Sequence, residues 1–206
     1  METKIKVVLE GVGRGLLMHK FCIEDYGQIK RNKAAKPSPE EEAEKVAYRL
    51  PAQADLPAQT SLPAQKKSEK GQLCLPAEHF IGSLISAGAG FKQVGNGKKT
   101  YKSAFSGNLD IYPENVGLTD ANGVALEDYK IDSRPVCIKA TKGRIIRHRP
   151  LIKAGWRAEF VIALSDDSIS LEIIKAILEE AGRTKCVGDF RQRFGQFRVV
   201  SAEKIQ

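Results

Sequence analysis

The chain has 206 residues, 42% of them hydrophobic and 28% charged, with a formal net charge of +8 at pH 7. This size and apolar content suit a single domain, or one domain with an insertion. The basic excess favours nucleic acid or an anionic surface as a partner. No apolar run approaches the ~20 residues that a membrane-spanning helix needs, so we expect no membrane span.

The N-terminal sequence METKIKVVLEG has neither the apolar stretch nor the small-residue cleavage site of a secretory signal. The four cysteines, Cys22, Cys74, Cys137 and Cys186, are far apart and lie near no histidine cluster. This spacing argues against a zinc site and against a disulfide framework. We therefore expect a cytoplasmic protein with reduced cysteines and with neither a metal ion nor a cofactor.

Hydrophobic periodicity predicts six regular elements. Period-two alternation indicates strands, the clearest of them beginning at Trp156, which we expect in the core. Apolar stripes at helical spacing indicate helices, one of them capped by Ser170 and closed by Gly182. In chain order the elements are strand 4–10, helix 76–90, strand 134–149, strand 156–164, helix 170–182 and strand 196–200.

This order, β-α-β-β-α-β, is that of the ferredoxin-like (RRM-like) unit, in which two helices pack on one face of a four-stranded antiparallel sheet. The predicted fold is therefore α+β, as a single domain over residues 1–206. The glycine run 11–15, GVGRG, lacks the spacing of a nucleotide-binding loop. Weak strand signals near Leu109 and Tyr112 are left outside the six elements.

Residues 26–71 form a predicted insertion. It contains PSPEEEAEKVAYR, which has the start signals of a short surface helix. The tetrapeptide LPAQ then occurs three times, at 50–53, 56–59 and 62–65. Proline and alanine with little apolar bulk favour an extended, flexible segment, with contact to a partner as the alternative.

Two basic segments are candidates for binding an anionic polymer. Nine lysines and arginines lie between Lys130 and Arg157, with Asp132 as the only acid. Segment 183–200, RTKCVGDFRQRFGQFRVV, adds arginines, glycines and two phenylalanines. Arginine binds phosphate oxygens through its planar fork, and aromatic rings stack on bases. The candidate nucleic-acid-binding residues are His19, Lys20, Lys139, Lys142, Arg144, Arg147, His148, Arg149, Arg157, Lys185, Phe190, Arg191, Arg193 and Phe194.

Both segments have alternative interpretations. The first could be a solvated basic face, and Phe190 and Phe194 could brace a loop instead of stacking on bases. His79, in the first turn of the predicted helix 76–90, could serve as a general base in RNA cleavage or could be a half-buried structural histidine. The binding hypothesis requires the basic strands and segment 183–200 to lie side by side.

Helix entry LPAEHFIGSLISA and the segment VGDFRQRFGQFRV, together with the element order, resemble the repeat-associated mysterious protein (RAMP) superfamily of CRISPR effector complexes. Pro76, Gly82 and Leu84 take the places of that superfamily's helix-entry motif, and Gly188 and Gly195 those of its glycine-rich loop. The resemblance implies RNA binding and a backbone-type subunit that multimerises along guide RNA. A phage or mobile-element relative of the superfamily fits equally.

We therefore expect a protein that binds single-stranded nucleic acid, RNA or DNA, as a homo-oligomer or as a subunit of a ribonucleoprotein. One alternative is a metal-independent endoribonuclease of the same superfamily that uses His79. The other is a scaffold whose basic surface meets an acidic protein partner.

Overall fold

The computed structural model describes residues 2–21, 37–51, 70–93, 95, 97–137, 143–166 and 169–205. The strands are β1 Thr3–Gly11, β2 Leu16–Leu17, β3 Cys74–Pro76, β4 Leu109–Tyr112, β5 Asn115–Thr119, β6 Lys130–Cys137, β7 Arg144–Ile152, β8 Arg157–Leu164 and β9 Phe197–Ile205. The helices are α1 Pro39–Lys45, α2 Ala77–Gly88, α3 Tyr101–Phe105 and α4 Leu171–Glu180, and a π-helical turn, Ala181–Lys185, continues α4. No helix among these residues is both long and apolar enough to cross a membrane.

The larger sheet is built around β1, which pairs antiparallel with β8 on one side and β9 on the other. Its strand order is β3-β5-β8-β1-β9, and β4 also pairs with β8. Ile5, Val7 and Leu9 alternate along β1 and are fully buried, so one face of the sheet is apolar. Helices α2 and α4 pack on that face, where the rings of Phe80 and Phe160 lie 4.8 Å apart.

The α+β class with antiparallel sheets is confirmed, but the predicted strand at 134–149 is wrong. That region is a hairpin: the chain leaves β6 after Cys137 and returns as β7 from Arg144. The hairpin belongs to a second sheet, and the larger sheet has six strands instead of four. Strand β4, which follows α2 in the chain and pairs antiparallel with β8, takes the place in the larger sheet that was predicted for 134–149. The sequence β1, α2, β4, β8, α4, β9 is compatible with a ferredoxin-like unit.

The second sheet has three strands in the order β2-β7-β6. In the antiparallel register of β6 and β7, Asp132 lies opposite Arg149, and Arg134 lies opposite Arg147. Because neighbouring residues of a strand point to opposite faces, these four side chains share one face, which we call the inner face of the hairpin.

Several predicted element ends shift. Ser170 caps α4 by accepting a hydrogen bond from the Ile173 N–H, as predicted. Gly182, however, does not close the helix but lies within the π-helical turn, where a side chain would collide with the Phe197 carbonyl. The predicted last strand, 196–200, extends as β9 to Ile205. Trp156 is buried, as predicted.

The predicted surface helix is α1, which begins with a capping box between Ser38 and Glu41. The chain that follows is held by Arg49. Its guanidinium pairs with Glu44 and donates from Nη1 to the carbonyls of Gly71 and Glu127 at 2.8 and 2.9 Å. The N–H of Leu50 donates to the carbonyl of Gln72. Most of the LPAQ repeats lie in residues 52–69, outside the described residues.

Candidate nucleic-acid interface

Residues 186–196, which we call the C-terminal loop, connect the π-helical turn to β9. Three non-glycine residues in it have positive φ: Cys186 at 60°, Phe190 at 51° and Gln192 at 72°. Residues other than glycine rarely adopt a positive φ, so the loop is held in a strained backbone conformation.

Backbone hydrogen bonds fix the loop against the start of the chain. Gly195 donates to the carbonyl of Gly15, and Asp189 donates to the carbonyl of Leu17, both at 2.8 Å. Gly188 and Gly195 have positive φ, and an added Cβ would overlap the carbonyl of Leu17 at Gly188 and that of Val187 at Gly195. The two glycines are therefore required for close packing of the loop on its neighbours.

The inner face of the hairpin lies directly against the C-terminal loop. The Arg134 guanidinium carbon is 5.4 Å from the ring centroid of Phe190 and 4.7 Å from that of Phe194. Asp132 pairs with Arg134, the Arg134 Nε lying 2.6 Å from Oδ2. Phe194 is 4% exposed, whereas Phe190 is 42% exposed. Phe194 thus braces the loop, and only the Phe190 ring faces solvent.

Arg149, a predicted phosphate contact, is an interior residue. It is 3% exposed, and its Nε lies 3.1 Å from Oδ2 of Asp189. The pair is close without the alignment of a hydrogen bond, and Nη1 of Arg149 has no hydrogen-bond partner among the described residues. The side chain of Arg149 therefore joins the hairpin to the loop instead of lying on the surface.

His19 is partly buried beside Arg147, whose Nη1 lies 2.8 Å from its Nε2. Arginine stays protonated and donates, so Nε2 accepts and the neutral ring of His19 carries its hydrogen on Nδ1. Burial lowers the pKa of His19 below 6.5, and the charge of Arg147 lowers it further. His19 is thus neutral, and its Nε2 accepts a hydrogen bond from the Arg147 guanidinium.

Two predicted residues lie apart from the contact between hairpin and loop. His148 points to the other face of the hairpin, where Nδ1 is 2.7 Å from Oγ of Ser133 and the backbone N–H donates to Glu42. Arg157 makes its contacts on the larger sheet, pairing with Glu10 at 3.2 Å and donating to the carbonyl of Ala121.

The other predicted residues differ in exposure. Lys20, Arg144, Arg191 and Arg193 are exposed, and Lys185 is partly buried at the end of the π-helical turn. Lys139 and Lys142 lie outside the described residues.

His79 contacts the C-terminal loop from the first turn of α2. The N–H of Gly188 donates to its Nδ1 at 3.2 Å, and its ring packs edge-on against Tyr48 with centroids 5.6 Å apart. Because Nδ1 accepts, the neutral ring carries its hydrogen on Nε2. Burial lowers the pKa of His79, and the charge of Arg191 adds to the shift. In this state Nε2 is a hydrogen-bond donor.

The predicted set of nucleic-acid-binding residues did not include Asp132, Arg134 and Asp189, which hold the hairpin and the loop together. Period-two alternation could have placed Asp132 and Arg134 beside Arg147 and Arg149 once the hairpin was recognised. No comparable local pattern joins Asp189 to Arg149, because the two residues belong to separate elements.

No protein-family model and no curated protein sequence matches the chain. Its whole length aligns with 61% of a chain in a cryo-EM structure of the Type III-B Cmr-beta complex bound to cognate target RNA, with a TM-score of 0.55 and 12% identity. It also aligns over 98% of its length with 90% of a chain of a Type IV-B CRISPR complex, with a TM-score of 0.45 and 11% identity. The chain thus spans about three-fifths of the first neighbour, and that likeness concerns the fold.

Proposed function

We propose that the chain is a RAMP-type subunit that binds single-stranded RNA where the hairpin and the C-terminal loop meet. The observation that carries this proposal is their direct contact through Arg134 and Phe190, in a loop that also exposes the Phe190 ring, Arg191 and Arg193. Cations next to an aromatic face are the combination by which proteins bind single strands with little sequence preference.

Charge at this surface favours an anionic ligand. The acids Asp132 and Asp189 are each engaged with an arginine, and Arg191 and Arg193 form no ion pair among the described residues. Exposed arginines without a carboxylate partner are free to bind phosphate oxygens through their planar donor groups. The fold shared with a subunit of an RNA-bound complex gives this ligand further support.

In this proposal the protein acts without catalysis and multimerises along its RNA within a CRISPR-effector-like assembly. The superfamily resemblance of the helix entry at Pro76 and of the glycines at 188 and 195 supports this arrangement. Light scattering with and without a long single-stranded RNA measures it. We expect particle mass to increase with RNA length by whole multiples of the protein, and a mass of one protein per RNA would contradict multimerisation.

The binding experiment is a titration of the protein with single-stranded RNA and single-stranded DNA at several salt concentrations. Phosphate contacts release counterions, so log Kd should rise linearly with log salt concentration. We expect tight binding at low salt, with RNA preferred over DNA. No binding at low salt, or an affinity independent of salt, would overturn the proposal. Nucleic acid that co-purifies with the protein would favour RNA over an acidic protein as the partner.

A further inference from the structure

Phe190 occupies a backbone conformation that suits glycine. Its φ of 51° lies in the left-handed region, which a bulky residue adopts only under strain. The conformation is held locally: Oδ1 of Asp189 accepts from the Phe190 N–H at 2.8 Å, and the Phe190 carbonyl accepts from Phe194 at 3.3 Å. Strained backbone of this kind concentrates at binding and catalytic sites.

Core packing does not account for the aromatic ring at this position. Phe190 is 42% exposed, so much of its apolar surface remains in water, in contrast to buried Phe194. One face of the ring is covered by the Arg134 guanidinium, which Asp132 holds in place. The Phe194 ring lies beside that of Phe190, with centroids 6.2 Å apart and planes tilted by 56°. The Phe190 ring is thus held by Arg134 and Phe194 while 42% of the residue remains exposed, which suits a platform for a flat ligand.

We propose that Phe190, backed by Arg134, stacks against one unpaired base of the bound strand. This inference rests on the proposed RNA binding and names the group that the site takes. Arg191 and Arg193, one and three residues further along the loop, are exposed and supply cations for phosphates of the same strand. Stacking accepts every base because each has a π-face, and purines, which have the larger face, should be preferred.

Two substitutions separate stacking from folding. Phe190→Leu keeps an apolar side chain but removes the π-face, and Phe190→Gly removes the side chain and the backbone strain. The matched control is Tyr112→Ala, which removes an exposed ring from β4. The probe is a single-stranded RNA of about 12 nucleotides with a central 2-aminopurine, whose fluorescence falls when it stacks.

We expect Phe190→Leu to weaken RNA binding about tenfold, within the range for the loss of one stacked base, and to abolish the 2-aminopurine quenching. The slope of log Kd against log salt should not change, because no charge is removed. Phe190→Gly should weaken binding at least as much while its Tm equals or exceeds that of the unsubstituted protein. Tyr112→Ala should leave both binding and quenching unchanged.

The outcomes distinguish the two proposals. If the protein binds RNA in a salt-dependent manner but Phe190→Leu keeps full affinity and quenching, stacking at Phe190 is wrong and RNA binding stands. The same conclusion follows if Tyr112→Ala has the larger effect. If the unsubstituted protein does not bind RNA at low salt, both proposals are wrong.

Discussion

Arg149 of β7 and Asp189 of the C-terminal loop approach within 3.1 Å, Nε to Oδ2, and Arg149 is almost completely buried. This ion pair holds the hairpin on the loop. A buried charge left without its partner is strongly unfavourable, because the protein interior solvates it poorly.

We expect Asp189→Ala to lower the free energy of unfolding by about 2–3 kcal/mol, somewhat less than for a fully buried pair because Asp189 is a third exposed. Adding Arg149→Met should recover part of the loss, since the unpaired charge is then removed. Urea denaturation of both variants measures this. The control is Arg183→Ala, which breaks the exposed pair with Glu180 and should change stability little. Additive losses in the double variant would contradict the ion-pair interpretation.

Gly195 is required for steric reasons that Gly97 does not share. Both have positive φ, but a Cβ at Gly195 would collide with the Val187 carbonyl, whereas one at Gly97 meets no atom within 4 Å. Gly97→Ala should lower the free energy of unfolding by about 1–2 kcal/mol for the backbone conformation alone. Gly195→Ala should lower it at least twice as much, as measured in the same urea titrations. Equal losses would show that the loop adjusts to the added methyl group.

Arg191 and Arg193 should determine how binding responds to salt. Replacing both by alanine should weaken RNA binding and reduce the slope of log Kd against log salt by up to about 1.4, or roughly 0.7 for each lost phosphate contact. The matched control is Lys98→Ala with Lys99→Ala. It makes an equal charge change at two exposed residues that follow the C-terminal end of α2. If both double variants reduce the slope equally, binding depends on net charge and not on the loop.

Stability should fall as the pH decreases below about 6.5. Burial holds the pKa of His19 and His79 below 6.5 in the folded protein. Between that lowered pKa and 6.5 the unfolded chain binds protons that the folded chain does not, so acidification favours unfolding. Arg49 lowers the pKa of Glu44 from 4.5, so the contribution of that carboxylate is lost only at more acidic pH.

The measurement is Tm between about pH 7.5 and 5.5. We expect a decrease that becomes smaller when His19 and His79 are both replaced by glutamine. A decrease of the same size in that double variant would assign the effect to other groups.

His79 provides the test of the endoribonuclease alternative. Since Nδ1 of His79 accepts the Gly188 N–H, the neutral ring carries its proton on Nε2, which disfavours a general-base role for Nε2. We therefore expect no RNA cleavage by the purified protein, as read on denaturing gels with end-labelled RNA. Cleavage that His79→Ala abolishes, in a variant that still binds RNA, would establish the enzyme instead.

Sequence patterns predicted β1, β8 and the two long helices because each buries a regular apolar face. They missed the reversal between β6 and β7. A period-two pattern defines the faces of a strand, but two strands joined by a turn can continue the same pattern. The short β4 was left out because its strand signal is weak, and the longer run at 134–149 matched a strand better.

At the candidate interface, the sequence indicated a basic surface but not which residues are exposed. Arg149 and Arg147 are two positions apart on one face of β7, yet Arg149 is buried where it meets Asp189 of the C-terminal loop, whereas Arg147 is only partly buried. Phe190 and Phe194 look equivalent in the sequence. They differ in exposure because the backbone reverses between them, a property of φ angles that composition does not encode.

Arg49 and its neighbours give the chain a natural place for modification. The hydrogen bonds from Leu50 to Gln72 and from Arg49 to Gly71 bring the two borders of residues 52–69 together. A linker of a few residues could therefore replace the intervening stretch, and a fluorescent label or affinity tag could be inserted there, because connection length changes loop-closure entropy only slowly. Such an insertion would leave both the hairpin and the exposed Phe190 ring untouched.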